Sequence, residues 1–407
     1  MNLSKIAAAA IPFALAATNA FSAGFGLYEF SARGNALGGA VMAGPAEPAS
    51  LALNPALITD LKGSQIQLGV TEVTALAQAT YNGQTATPNR AWWTLPTFFY
   101  TQELTERWYA GIGVFPRFGL SNEYPDKNWA GATSTYKVGV ESFSVQPTVA
   151  YQVTDRLSAA AALEVMYFKF EKGNRVTPAM GGIDLNVEGD SIGLAPMVAL
   201  AYKANEKVNF GVSYRFRIKQ ALDGTATYNT QAPMFQNGDA NGTINLPAQI
   251  AFGVSYRPIE KLLIEFNWMN IFWSSFDEIA INFDKMPRSP STSGTKSEKK
   301  EWKDTFRIGM GAEYTLSKVV TLRGSYIFDK APVNNDYMDV MIPVNDRHLF
   351  GVGAGLNLFK DVVLDLSYTY LIGTSLSGTT DPGPSGIPVS YKNGSSHLMG
   401  ASVKYKF

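Results

Sequence analysis

The chain closes on Ser395-Ser396-His397-Leu398-Met399-Gly400-Ala401-Ser402-Val403-Lys404-Tyr405-Lys406-Phe407, and this segment alternates with a period of two. Met399, Ala401, Val403, Tyr405 and Phe407 fall on one face; Gly400, Ser402, Lys404 and Lys406 fall on the other. Successive side chains of a strand point to opposite sides, so this strand is apolar on one side and wet on the other. A wall of such strands separates lipid from a polar lumen, and a terminal aromatic suits the interfacial girdle of a bacterial outer-membrane barrel.

The pattern recurs upstream. Val208, Phe210, Val212, Tyr214, Phe216 and Ile218 share one parity, and Arg215, Arg217 and Lys219 share the other, which predicts three cations facing a lumen. Phe306, Ile308, Met310, Ala312 and Tyr314 alternate with Arg307, Gly309, Gly311 and Glu313 in the same way. Candidate strands near 64–74, 92–101, 108–120, 135–152, 157–170, 190–203, 206–219, 246–257, 260–274, 303–315, 318–328, 347–358, 361–372 and 396–407 number about fourteen. Tight turns are expected at Thr154-Asp155, Ala204-Asn205, Pro258-Ile259, Leu316-Ser317 and Lys360-Asp361. Long polar loops are expected at 173–189, 221–244, 277–301, 329–346 and 373–395. Short connections alternating with long ones match periplasmic turns and extracellular loops. The fold class is therefore all-β, a 14-stranded antiparallel transmembrane β-barrel.

Composition agrees. Among 407 residues, 46% are hydrophobic and 17% charged, with 24 Phe and 19 Tyr, yet no run approaches the roughly 18 apolar residues of a membrane helix. A formal net charge of zero offers nothing to nucleic acid. Absence of Cys removes disulfides and thiolate metal sites, and no cofactor or metal is implied. Lys5 followed by the apolar stretch Ile6 to Ala17 and Ala20-Phe21-Ser22 reads as a cleaved signal peptide over 1–22. Residues 23–63 break the alternation and carry Asn54-Pro55-Ala56-Leu57, a helix start with Asn as cap and Pro in the first turn. They are expected to fold into the lumen as a helical hatch, leaving 64–407 for the barrel. His348 and His397 are the only imidazoles, and no Gly-x-Ser-x-Gly elbow occurs, so an enzyme is not expected.

The chain resembles the FadL/TodX family of outer-membrane transporters for long-chain fatty acids and other hydrophobic compounds. The resemblance rests on Ala23-Gly24-Phe25-Gly26-Leu27-Tyr28-Glu29-Phe30-Ser31, Asn54-Pro55-Ala56-Leu57-Ile58-Thr59, Asn245-Leu246-Pro247 and Trp273-Ser274-Ser275-Phe276. It continues through Trp302-Lys303-Asp304-Thr305-Phe306-Arg307-Ile308-Gly309, Ile342-Pro343-Val344-Asn345-Asp346-Arg347 and Tyr405-Lys406-Phe407. It implies 14 strands with an N-terminal hatch bearing Phe30, Asn54, Pro55 and Ala56, and an inward kink of the third strand that opens the wall sideways. Phe115, Pro116, Arg117, Phe118 and Gly119 occupy the matching positions. Independently, Pro116 removes a ladder donor inside a strand, which predicts a local break, and Pro96 and Pro147 in the neighbouring strands extend the weak seam.

A greasy solute gains about 0.8 kcal/mol per methylene on leaving water, so affinity belongs to an apolar pocket and charge selects the headgroup. Candidate headgroup cations are Lys172, Arg175, Lys299 and Lys300. The expected function is passive passage of hydrophobic compounds, long-chain fatty acids first, through a lumen pocket, hatch rearrangement and exit at the kink. Import of aromatic or aliphatic hydrocarbons on the same scaffold is the alternative. A general diffusion porin is the third reading, and conductance in planar bilayers separates it. The expected partners are a hydrophobic small molecule and outer-membrane lipid, with the chain a monomer.

Overall fold

The computed structural model describes residues 24–89, 92–177, 182–230, 232–342 and 344–407. The signal segment 1–22, its cleavage before Ala23, and Pro343 lie outside the described residues. The wall is built from β1 (Ser64–Tyr81), β2 (Trp92–Glu103), β3 (Trp108–Phe115 and Gly119–Glu123), β4 (Lys137–Gln152), β5 (Leu157–Thr177), β6 (Ile183–Lys203) and β7 (Val208–Arg215 and Ile218–Tyr228). It continues through β8 (Gly238–Leu246 and Gln249–Ile259), β9 (Leu262–Ile271 and Glu278–Phe283), β10 (Gly294–Lys299 and Thr305–Thr315), β11 (Val320–Asp329), β12 (Arg347–Phe359), β13 (Val362–Gly373) and β14 (Pro388–Lys406). Each strand pairs antiparallel with the next, and β14 returns to β1 from Gln65↔Lys406 to Tyr81↔Val389, closing the barrel. Closure of the first strand on the last leaves the sheet without a terminal edge strand, as a membrane demands.

The alternation of the carboxy-terminal strand is the inside–outside alternation of the wall. Met399, Val403, Tyr405 and Phe407 are exposed on the outer surface, while Ser402 is buried and accepts from the Ala32 amide at 3.2 Å. Both histidines stand among outward-facing aromatics. His348 Nδ1 lies 2.7 Å from the Tyr326 hydroxyl, and His397 Nδ1 lies 2.8 Å from that of Tyr368. They belong to an interfacial girdle, not to a reactive centre.

Two expectations change. The polar stretches after β5, β7, β9 and β13 are largely strand: β5 runs to Thr177 and β6 begins at Ile183. The predicted row of three inward cations also fails. Arg215 is buried, but Arg217 and Lys219 are exposed and Ile218 faces inward. Phe216 and Arg217 stand outside the ladder, and the Phe216 amide donates to the Pro196 carbonyl at 3.0 Å. Arg215 pairs with Met197 and Asp223 with Asp190, so β7 advances one residue more than β6 across this break. One extra residue flips every later side chain to the other face.

Residues 24–61 pack against the inward faces of the wall. Helix α1 (Ala32–Ala36) is capped by Ser31, whose hydroxyl accepts from the Gly34 amide. Helix α2 (Ser50–Leu53) leads into a 3-10 turn (Pro55–Asp60) capped by Asn54. Arg33 pairs with Glu313 at 3.1 Å, and the Ala43 amide donates to Glu265 at 2.7 Å. The pentapeptide Gly-Val-Ser-Tyr-Arg occurs at Gly211–Arg215 of β7 and again at Gly253–Arg257 of β8, and packing against this segment explains its glycine. Gly211 and Gly253 are directly paired, and a Cβ on Gly211 would stand 1.9 Å from the Met42 carbonyl oxygen.

Candidate functional site

The site begins where β3 stops. Phe115 pairs with Ser144 of β4 and Gly119 with Glu141, so three residues of β3 stand opposite two of β4. All of Phe115, Pro116, Arg117, Phe118 and Gly119 are buried, whereas a lipid-facing strand would alternate. The segment bends into the lumen. On its other side, β2 pairs with β3 only from Phe98↔Val114 to Glu103↔Tyr109. Trp92 to Thr97, which include Pro96, have partners on β1 and none on β3. The hydrogen-bonded ladder is therefore interrupted between upper β2 and Gly119–Glu123, and this break is the candidate window. The Asn89 amide, donating to the Glu123 carbonyl at 2.8 Å, bounds it above. Pro147 adds to the seam, since the β4–β5 ladder is missing between Val145↔Val165 and Thr148↔Ala162.

The amino-terminal segment takes up the hydrogen bonds that the kink gives away. The Leu27 amide donates to the Arg117 carbonyl at 2.7 Å, the Gly119 amide donates to the Phe25 carbonyl at 2.9 Å, and Gly26 bridges Phe118. Phe30 meets Phe115 edge to face at 5.1 Å. Asn54 donates to the carbonyls of Met42 (2.7 Å) and Leu200 (3.2 Å), while Pro55 and Ala56 start the buried turn. Phe30, Asn54, Pro55 and Ala56 thus all sit at contacts between this segment and its surroundings.

Beneath the kink lies an ionic triad that sequence reading missed. Glu164 of β5 is fully buried and receives Arg117 and Arg215, each at 2.7 Å, with the Ser144 hydroxyl at 2.6 Å. Arg215 also donates to the Ala52 carbonyl at 2.6 Å, and Gln146 donates to that of Leu51 at 2.6 Å. One carboxylate links the kink, two wall strands and α2. The available signal was Glu164 itself, a lone acid in a run whose two parities, Ala160, Ala162, Met166, Phe168 and Leu163, Val165, Tyr167, are both apolar.

Above the triad the lumen is apolar. Phe25 is the hub of an aromatic cluster, 5.7 Å from Phe118, 5.0 Å from Trp273, 5.5 Å from Phe276 and 6.1 Å from Trp302. Phe168, Phe170, Leu120 and Met341 extend the same buried surface. Of the four expected headgroup cations, two converge and two do not. Lys172 and Lys300 are buried and share Glu298: Lys172 pairs with it directly, and Lys300 reaches it at 3.5 Å while pairing with Asp339. Burial by itself lowers the Lys300 ammonium, but Asp339 and Glu298 outweigh it and hold the group above its ordinary value of 10.5. Arg175 is engaged with Asp184 at 3.1 Å, and Lys299 is exposed beside Glu301 at 3.8 Å. The cluster lies next to the apolar lumen, since Trp302 follows Lys300 by two residues, Lys172 follows Phe170 by two, and Met341 follows Asp339 by two.

A closed membrane wall enclosing an apolar, cation-topped lumen with a lateral break defines a transport barrel for water-insoluble solutes. The chain belongs to the outer membrane protein transport protein family (OMPP1/FadL/TodX), whose profile matches residues 13–407. It is similar to the long-chain fatty acid transport protein of Escherichia coli O6:H1, at 24% identity over 98% of each chain. It is also similar to outer membrane protein P1 of Haemophilus influenzae, at 25% identity over 88% of each. Among solved structures, a Pseudomonas aeruginosa FadL homologue superposes with a TM-score of 0.84 at 17% identity, covering 95% of this chain and 100% of that one. The toluene transporter TodX of P. putida gives 0.74 at 17% identity, covering 93% and 98%. The protein is an outer-membrane transporter of hydrophobic compounds and not an enzyme.

Proposed function

We propose that this barrel carries long-chain fatty acids passively from the cell exterior into the membrane plane, as a monomer. The observation that supports this most is the junction of two buried lysines, Lys172 and Lys300, with an aromatic lumen that leads down to the kink. An amphiphile fits that gradient with its carboxylate at the lysines and its tail among Phe168, Phe170, Trp273 and Trp302. Residues 24–63 act as the hatch. A tail that displaces Phe25 from its aromatic neighbours also breaks the main-chain bonds of Phe25 and Leu27 to Gly119 and Arg117, which frees the kink and opens the window. Exit through the wall keeps the tail out of water at every step.

Hydrocarbon import is the second reading, favoured by one observation: both lysines already own internal counterions, as a neutral solute would require. Oleate and toluene uptake by cells carrying Lys172→Ala with Lys300→Ala separates the two. The fatty-acid reading expects oleate uptake to fall about tenfold or more, because Glu298 and Asp339, left without their cations, then repel the incoming carboxylate, with toluene unaffected. Equal oleate uptake by variant and wild type contradicts it.

A further inference from the structure

The two lysines do not hold two equivalent acids. Asp339 is fixed: besides Lys300, its Oδ1 accepts from the amides of Met341 at 2.7 Å and Ile342 at 3.3 Å. Glu298 receives only the two lysines among the described hydrogen bonds. Its side chain keeps 28% of its surface in solvent, against 5% for Lys172 and 3% for Lys300. It stands on the short segment Gly294–Lys299, which pairs on one edge with Glu278–Phe283, and no described strand pairs with its other edge. The cations are buried, and the acid between them is partly solvated, with no other side-chain hydrogen bond among the described residues.

From this arrangement we infer that Glu298 occupies the place of the substrate carboxylate, a built-in competitor that the incoming headgroup displaces. The inference rests on the fatty-acid reading and deepens it. Leaving the lysines unpaired in the empty state would strand two buried charges, which is costly, so an internal anion has a reason to be there. Exchange conserves charge: one carboxylate leaves for water as another enters, while Asp339 stays on Lys300. The acid therefore gains little from its charge over a neutral analogue, because each new ion pair replaces an old one. Glu298 is a specificity-determining residue that narrows discrimination between fatty acids and neutral long-chain alcohols.

Purified full-length barrel titrated with oleate and with oleyl alcohol tests this. Wild type binds the two with affinities within about threefold, and Glu298→Gln binds oleate about tenfold tighter, one lost charged competitor, with oleyl alcohol unchanged. The wild-type ratio needs no variant, so a misfolded Glu298→Gln does not remove the test. A wild type that already prefers oleate by tenfold or more overturns the inference, as does a Glu298→Gln protein that folds and binds oleate no better. Absence of saturable binding of either probe to wild type removes the fatty-acid reading itself, and the inference with it.

Discussion

Cells whose barrel lacks Phe115 to Gly119 take up labelled oleate at the background rate, while Pro116→Ala retains part of the wild-type rate. The expectation follows from the ladder. Among the described residues the β2 edge from Trp92 to Thr97 has no partner on β3 because β3 leaves the wall after Phe115. Without the inward segment, β3 can continue along β2 and seal the window. A tail of about fifteen methylenes would then have to pass through water at about 0.8 kcal/mol each, near 12 kcal/mol in total, which no uptake assay would register. Pro116→Ala restores one backbone donor but leaves Arg117 bonded to Leu27 and Glu164 and Gly119 bonded to Phe25, so the kink persists in part. The heat-dependent gel mobility of folded barrels verifies that the deletion variant is assembled. An assembled deletion variant with normal oleate uptake removes the lateral exit.

The second large effect concerns Glu164. Glu164→Ala leaves Arg117 and Arg215 buried with no carboxylate between them, and breaking a buried ion pair from one side costs about 3–5 kcal/mol. Denaturant unfolding in detergent is expected to show a loss of that order. Substituting all three, Glu164→Met with Arg117→Met and Arg215→Met, restores most of it, since an apolar replacement of a whole buried ionic group is often neutral. The triple variant is nevertheless expected to transport poorly, because α2, the kink and β5 no longer share a common anchor. Equal stability of Glu164→Ala and wild type would show that the triad bears no load.

The strand grammar was legible because lipid enforces it: a residue of the wrong polarity on the outer face meets hydrocarbon, so alternation survives wherever β-structure crosses the membrane. Beyond the membrane that pressure ends. The outer parts of β5 to β10 are rich in polar residues, and their apolar parity is short and turns inward (Leu185, Val187, Phe283). They read as loops although their backbones continue the ladder to Thr177 and from Ile183. The break in β3 was visible because Pro116 is chemically conspicuous. The break in β7 was not, since its nearest prolines, Pro196 and Pro247, belong to neighbouring strands and the flip falls on Phe216 and Arg217. Lys172 and Lys300 converge while Arg175 and Lys299 do not, although all four are basic residues in similar stretches of the sequence. Only the fold brings Glu298 to Lys172 across 126 residues. The triad is illegible for the same reason, with its members spread over three strands.

The central claim, that substrate leaves through the wall, is tested most directly by mapping where a photoreactive fatty acid attaches during uptake. The competing path is the short-turn side, where Pro45, Leu57, Asp60, Lys203 and Lys207 line a small pocket; a solute leaving there would enter the periplasm. Lateral exit predicts adducts on the lumen aromatics and along the window, on Trp93, Leu95, Phe118 and Leu120. Adducts on Pro45, Leu57 and Lys207 with an unmarked window would contradict it.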